Sequence, residues 1–125
     1  MKVTPEKNEK VGKMIFATIY PLYWNRLEKH GRTREEFHQV IEWFTGYDEK
    51  KLQKLIADKV TFRTFFTKAK IHTNAHMIKG VVCGYRIEEI EDEYEVYKKS
   101  RQMEKLIDEL AKGRKMEKIL RQEKK

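Results

Sequence analysis

The sequence is poor in the residues and segments that would mark a secreted or membrane protein. Cys83 is the only cysteine, which excludes an internal disulfide and favours a reducing compartment. The longest uncharged run covers residues 14–25 and is too short to cross a bilayer. Residues 1–13 are charged and lack the apolar segment of a signal peptide. We therefore expect a cytoplasmic protein without a membrane partner.

The sequence also lacks the short motifs that fix a nucleotide or hydrolase chemistry. It contains no GxxxxGK[ST], no GxGxxG and no GxSxG pattern. These absences remove P-loop, dinucleotide-binding and nucleophile-elbow enzymes from consideration. No cofactor is predicted.

The composition indicates a single helical domain. The chain has 125 residues, and its 38% charged residues, many of them Lys and Glu, suit helices with solvated faces. Six Phe, six Tyr and two Trp argue against disorder. We predict a mostly α protein, with a flexible arm at residues 1–12 and a compact bundle of about six helices at residues 13–125.

Several helix ends can be placed from local signals. Thr33 and Glu36 form a capping-box pattern, Gly46 is expected to end the helix that follows, and Asp48 is expected to begin the next. Thr61 is a further cap candidate. The helix after Thr33 has a core-facing stripe at helical spacing, formed by Phe37, Val40, Ile41 and Phe44.

Other boundaries are less well determined. Pro21 is predicted at the first position of a helix, which leaves residues 13–19 either helical or extended. Asn74 is a candidate helix cap, but Gly80, Gly84 and the β-prone residues between them make a strand at residues 80–87 the alternative prediction. A long helical pattern then runs from Ile87 to a stop at Gly113, before a final short helix.

Charge is distributed in blocks along the chain. Residues 87–97 contain six acids and no basic residue, whereas residues 98–125 contain eleven basic residues and five acids. On a C-terminal helix, Arg114, Lys118 and Arg121 would share one face. This face predicts a polyanion-binding surface, and without a recognition-helix pattern any nucleic-acid binding should be weakly sequence-specific.

Aromatic residues and one arginine are the remaining binding candidates. Tyr23, Trp43 and Tyr47 could line a groove, although aromatics at helical spacing more often belong to a core. Arg86 follows an apolar run and is expected to be partly buried. Glu88 or Glu89 could pair with Arg86 or accompany it in a polar site.

A metal site and a cysteine nucleophile are weaker possibilities. His72 and His76 have the spacing of two ligands on one helix, but Asn74 between them reads as a helix cap, and no third ligand is evident. We therefore predict no metal. Cys83 lies among small and apolar residues, which favours a buried side chain over a reactive thiol.

Together, several stretches resemble a family of small bacterial proteins, domain of unknown function 2200. The stretches are YPLY at 20–23, GRT at 31–33, WFTGY at 43–47, Phe62 with Phe65 and Phe66, GVVCGYRIEEI at 80–90, LAKG at 110–113 and MEKILR at 116–121. The resemblance implies no activity, cofactor or partner. Glu93 stands where the family pattern tends to have proline, which should make the long helix more continuous.

These observations favour a binding or interaction module without catalytic activity. Its ligand would be nucleic acid, bound by the basic C-terminal face, or a protein, and a homodimer is plausible. The alternative is an enzyme of unknown reaction, with a pocket around Arg86, Glu88 or Glu89, and Tyr47.

Overall fold

The computed structural model describes residues 3–82 and 84–121 and confirms a mostly α fold. Over these residues the α-helices are α1 Pro5–Gly12, α2 Phe16–Lys29, α3 Arg34–Thr45, α4 Glu49–Ala57, α5 Phe62–Thr67, α6 Glu95–Ala111 and α7 Met116–Ile119. Strands β1 Val81–Val82 and β2 Tyr85–Arg86 form a small antiparallel hairpin. Short 3₁₀ helices lie at Thr73–Met77, Ile87–Glu89 and Asp92–Tyr94. Cys83 lies outside the described residues.

Helix α6 is the central element of the fold. It packs against α1, α2, α3, α5 and α7 and also contacts the hairpin. Its buried face contains Met103, Leu106, Ile107 and Leu110, which recur at helical spacing and are fully buried. The core that surrounds it is rich in aromatic rings, among which Phe16 stacks on Phe65 with centroids 4.0 Å apart.

The predicted caps of the middle helices are confirmed. The Thr33 hydroxyl accepts from the Glu36 amide at 3.1 Å, and the Glu36 carboxylate accepts from the Thr33 amide at 2.9 Å. Asp48 and Thr61 cap α4 and α5. Gly46 ends α3 with φ +75°, and a Cβ there would lie 2.9 Å from the Lys70 carbonyl oxygen, so both the conformation and the space require glycine.

Pro21 does not begin a helix, contrary to the prediction. It lies inside α2, which begins at Phe16, so residues 13–19 are divided between a short link and the first turn of that helix. The link pairs through Ile15 with Thr61, and the Phe16 amide donates to the Val60 carbonyl at 2.9 Å. Burial of Phe16 and these backbone hydrogen bonds stabilise the first turn of α2. They offset the loss of the backbone hydrogen bond that Pro21 cannot donate.

Residues 1–12 were expected to be a loose arm, but residues 5–12 form helix α1. Pro5 occupies its first turn, where a missing N–H costs little, and the Thr4 hydroxyl accepts from the Lys7 amide. The helix packs on α6, and the Asn8 side chain accepts from the Tyr97 amide at 3.0 Å. Tertiary contacts therefore stabilise a segment whose polar composition suggested a free end.

The described residues from Thr73 to Tyr94 form 3₁₀ turns and a hairpin and contain no α-helix. The alternative prediction of a strand near 80–87 is the correct one, since β1 and β2 pair there through a turn that contains Gly84 at φ +82°. Asn74 does not cap a helix. The His72 side chain accepts from its amide instead. Two 3₁₀ turns follow, so the long helix begins at Glu95 and not at Ile87.

Candidate functional site

A basic groove lies where α6 ends and α7 begins. Its volume is about 510 Å³. We use the name basic groove for the hollow lined by Lys105, Asp108, Glu109, Lys112, Gly113, Arg114, Lys115 and Lys118. Five of these eight residues are cationic and two are acidic, so the lining carries an excess of positive charge.

The turn after α6 creates the groove. Gly113, at φ +84°, allows the chain to reverse, and the amides of Gly113 and Arg114 donate back to the carbonyls of Leu110 and Glu109. Buried Ile119 and Leu120 hold α7 against the core. The lysines between the two helices are thus exposed at the carboxyl end of α6, where positive charge is also favoured by the helix dipole.

The two acids of the groove are already neutralised. Asp108 pairs with Arg26 and with Lys112, the latter at 3.0 Å. Burial favours the neutral acid, but hydrogen bonds from Lys112 and Arg26 outweigh it and hold the pKa of Asp108 below its ordinary value. Glu109 is buried and takes both terminal nitrogens of Arg121, at 2.7 and 2.8 Å.

Three lysines of the groove have no carboxylate within salt-bridge distance among the described residues. They are Lys105, Lys115 and Lys118, and the last two are exposed. Arg114 is half-exposed and lies 3.5 Å from Glu109, which is engaged more closely by Arg121. The groove therefore offers cationic groups to an external anion without breaking a strong internal pair.

The predicted polyanion-binding residues separate into two groups. Arg114 and Lys118 line the groove, but Arg121 does not. Only 10% of the Arg121 side chain is exposed, and besides Glu109 it donates to the Ile119 carbonyl at 2.5 Å. Its backbone has φ +46°, so residue 121 has left the helix and cannot extend a helical face. Lys105 was not among the predicted residues, because only basic residues after α6 were considered. Lys105 lies on α6 seven residues before Lys112, and this spacing places both lysines on one helix face.

The aromatic candidates do not line one groove. Trp43 and Tyr47 border the same open hollow, whereas Tyr23 borders another between α1, α2 and α6. The ring of Trp43 stacks on His72 with centroids 4.4 Å apart. Tyr47 is only 8% exposed, and its hydroxyl donates to the Phe65 carbonyl at 2.5 Å. Tyr47 is therefore a core residue with one satisfied polar group.

Replacement of Tyr47 by phenylalanine should change the alkaline stability of the protein. Burial raises the pKa of Tyr47 to about 12, against an ordinary value of 10.0. The folded state therefore favours the neutral phenol, and this stabilisation is complete below pH 10 and is lost as the pH rises through 12. Denaturant unfolding across this range should show a smaller alkaline loss in Tyr47→Phe than in the wild type. Equal losses would contradict the assignment.

Arg86 and the acids beside it do not meet Tyr47. The Arg86 side chain is 51% exposed, because it lies on the outer side of β2. It pairs with Glu89 at 3.6 Å, and both partners are largely solvated. Glu88 turns away and accepts from the Gly80 amide at 3.0 Å. The pocket suggested around Arg86, Glu88 or Glu89, and Tyr47 is thus not assembled.

A buried histidine links three helices and was not found from the sequence. His38 on α3 contacts the Tyr20 hydroxyl through Nε2, and its Nδ1 donates to the Glu49 carboxylate at 2.7 Å. That hydrogen bond is the main cause that lowers the pKa of Glu49, and burial raises the pKa of Tyr20. Both ring nitrogens are satisfied, so the chain of contacts ties α2, α3 and α4 together. The sequence signal that could have identified His38 is its position directly after Phe37, which begins the core-facing stripe of α3.

Neither a cluster of metal ligands nor a membrane-spanning helix is found within the described ranges. No group of three or more His, Cys, Asp or Glu side chains in residues 3–82 and 84–121 has an arrangement that could hold a metal ion. In the same residues no helix has the length and apolarity needed to cross a membrane.

Comparison with known proteins identifies the family. Residues 10–121 match the model of a family described as uncharacterised proteins conserved in bacteria, domain of unknown function 2200. The chain belongs to this family. The resemblance seen in the sequence is therefore confirmed, and the match spans the segments that form α2 to α7 and the basic groove. A search of curated proteins found no match.

A solved structure shares the fold of this family member. It is the crystal structure of uncharacterized protein SP1917, which has 33% sequence identity and a TM-score of 0.82. The similarity covers 93% of this chain and 97% of the other. Neither description states an activity, so the comparisons establish family and fold.

Proposed function

We propose that this protein is a non-catalytic binding module whose basic groove holds the phosphate backbone of a nucleic acid with little sequence preference. The observation that carries the proposal is the set of three lysines with no acidic partner in the described part of the chain, Lys105, Lys115 and Lys118, around a hollow whose two acids are already paired. Release of counterions from phosphates would supply the binding free energy.

Weak sequence preference follows from the shape of the groove. Base-specific readout usually requires a helix or strand pair that enters the major groove. Helix α7 has four residues and its apolar side is buried, while α6 is the central helix of the core. Flexible lysine side chains at a helix junction contact phosphates as point charges and position a backbone without reading its bases.

A protein partner bound through an apolar face has less support. In the described part of the chain, the exposed large hydrophobic side chains are Met14, Leu22, Met77 and Val81. Only the first two border the same hollow, whose volume is about 200 Å³. Isolated exposed hydrophobics of this kind are normal on a soluble surface.

Neutralisation of two groove lysines should weaken nucleic-acid binding in a defined way. For a short DNA duplex, the slope of log affinity against log salt should be shallower by about two in Lys115→Gln/Lys118→Gln than in the wild type. The expected change is about one for each phosphate contact removed. The loss should be similar for duplexes of unrelated sequence. Fluorescence anisotropy at several salt concentrations measures both quantities.

The matched control is Lys50→Gln/Lys51→Gln. Both residues are exposed on α4, outside the groove, and the change in net charge is the same. The control should bind like the wild type. If both double variants lose the same affinity, the binding depends only on net charge and the groove has no part in it. Variants of Arg121 are unsuitable, because its ion pair with Glu109 stabilises the fold.

A further inference from the structure

A second cavity lies between the 3₁₀ helix Thr73–Met77 and the start of α6. Its volume is about 420 Å³, within the range of small-molecule sites, ~300–1,000 Å³. We call it the histidine cavity, since His72 and His76 line it together with Ile78, Ile87, Glu88 and Lys99. It contains no residue of the basic groove.

The histidine cavity has an apolar floor. Ile71 lines it and is only partly buried, so an apolar group placed on it would leave water without displacing a side chain. Ile78 and Ile87 also line it and form the packed layer beneath, since they are almost fully buried. They come from the segments before and after the hairpin, and the Ile87 amide donates to the Gly80 carbonyl at 2.9 Å. This bond keeps the two sides of the floor in register.

The two histidines present opposite hydrogen-bonding groups. Nδ1 of His72 accepts from the Asn74 amide at 2.9 Å, so in the neutral ring the proton lies on Nε2. Nδ1 of His76 lies 2.8 Å from the Thr73 carbonyl oxygen and must donate to it, which leaves a lone pair on Nε2. Neither Nε2 has a hydrogen-bond partner among the residues the structure describes. One ring therefore offers a free donor and the other a free acceptor.

Charged groups of both signs border the cavity. The Lys99 side chain is 23% exposed, and the only carboxylate within salt-bridge distance of its ammonium in the described chain is that of Glu95, at the long distance of 3.9 Å. The backbone hydrogen bond from Gly80 is the main cause that lowers the pKa of Glu88, so this acid is ionised. A ligand with a single charge would meet a like charge at one side of the cavity. A ligand with both charges could pair with each.

We infer that the histidine cavity binds a small zwitterion with an apolar side chain, of the class of the free apolar α-amino acids. The carboxylate of the ligand is held by Lys99 and the Nε2–H of His72. Its ammonium is held by Glu88 and the Nε2 lone pair of His76, and its side chain contacts Ile71 above the packed layer. Stacking on Trp43 fixes the ring of His72 in place for this contact.

Long-range ¹H–¹⁵N NMR of the histidine rings tests the inference with L-leucine as the probe. The free protein should show the proton on Nε2 of His72 and on Nδ1 of His76, and L-leucine should shift both Nε2 resonances. Three analogues each lack one part: 4-methylpentanoate has no ammonium, 3-methylbutylamine has no carboxylate and glycine has no apolar side chain. Each should bind at least about tenfold more weakly than L-leucine.

Two variants locate the site. His76→Phe and Lys99→Met should each weaken L-leucine binding about tenfold or more, while Lys50→Met on α4 should leave it unchanged. His76 is exposed and Lys99→Met keeps most of the covering stem, so both should fold. The inference is overturned if L-leucine, L-methionine and L-phenylalanine shift neither ring. It is also overturned if 4-methylpentanoate binds as tightly as L-leucine, or if neither variant changes binding.

Discussion

Replacement of Glu109 by alanine should lower the free energy of unfolding by about 3–5 kcal/mol, the usual cost of breaking a buried ion pair by removing one partner. Glu109 is buried and binds both terminal nitrogens of Arg121. The guanidinium would remain at a site where 10% of its side chain is exposed, without a counter-charge. Urea unfolding followed by circular dichroism measures the loss.

Two further variants separate this cause from a general loss of charge. Glu95→Ala on the same helix removes a solvated acid that lies 3.9 Å from Lys99 and should cost less than about 1 kcal/mol. In Glu109→Ala/Arg121→Ala the buried cation is also removed, so the double variant should be more stable than Glu109→Ala alone. If Glu109→Ala were as stable as Glu95→Ala, the pair would not be buried in solution.

Replacement of Phe16 by alanine should cost about 3–5 kcal/mol, the range of large-to-small changes at fully buried aromatic positions. Phe16 is 0% exposed. Its ring stacks on Phe65 at 4.0 Å and lies 6.1 Å from the rings of Tyr20 and Phe62. The alanine variant would leave a cavity between α2 and α5 and weaken the first turn of the helix that contains Pro21.

Leu22→Ala is the matched control for Phe16. It lies on the same helix, but 59% of its surface is exposed, so its loss should stay within about 1 kcal/mol. The two variants should also differ at the start of α2. Amide hydrogen exchange at residues 16–19 should accelerate in Phe16→Ala and remain at the wild-type rate in Leu22→Ala. Equal exchange in the two variants would show that packing of Phe16 does not hold this turn.

The parts of the fold that the sequence predicts correctly depend on local interactions. The capping box at Thr33, the left-handed Gly46 and the cap at Asp48 involve atoms at most a few residues apart. Hydrogen bonds of this kind form at the end of a helix wherever the helix lies in a protein. A short sequence pattern is therefore enough to identify the helix end. The same holds for the stop at Gly113.

The errors come from interactions between distant parts of the chain. Pro21 is tolerated inside α2 because Phe16 is buried against α5, and α1 forms because α6 offers it a surface. The segment that precedes α6 has helical spacing of apolar residues. Even so, glycines with positive φ at 80 and 84 turn it into a hairpin. The contacts that tolerate Pro21 and form α1 are not visible in a window of a few residues, whereas Gly80 and Gly84 were the local signal for the strand alternative.

The sequence predicted only part of the candidate site, because contacts between distant residues decide which basic side chains are available. Density of basic residues pointed to Arg114 and Lys118, which do line the groove. Which basic residue is internally paired depends on the fold, and Arg121 is paired because the turn after α7 places it on buried Glu109. Lys105 enters the groove from the preceding helix. The opposite tautomers of His72 and His76 depend on backbone atoms of a 3₁₀ turn that the sequence did not indicate.

The salt dependence of DNA binding by the wild-type protein tests the central claim most directly. Three lysines without an acidic partner among the described residues, together with the weakly engaged Arg114, should neutralise about three or more phosphates. The plot of log affinity against log salt for a short duplex should therefore have a slope of about −3 or steeper, equal for unrelated sequences. A slope near zero, or no binding at the lowest salt, would contradict a role for the basic groove in holding a nucleic-acid backbone.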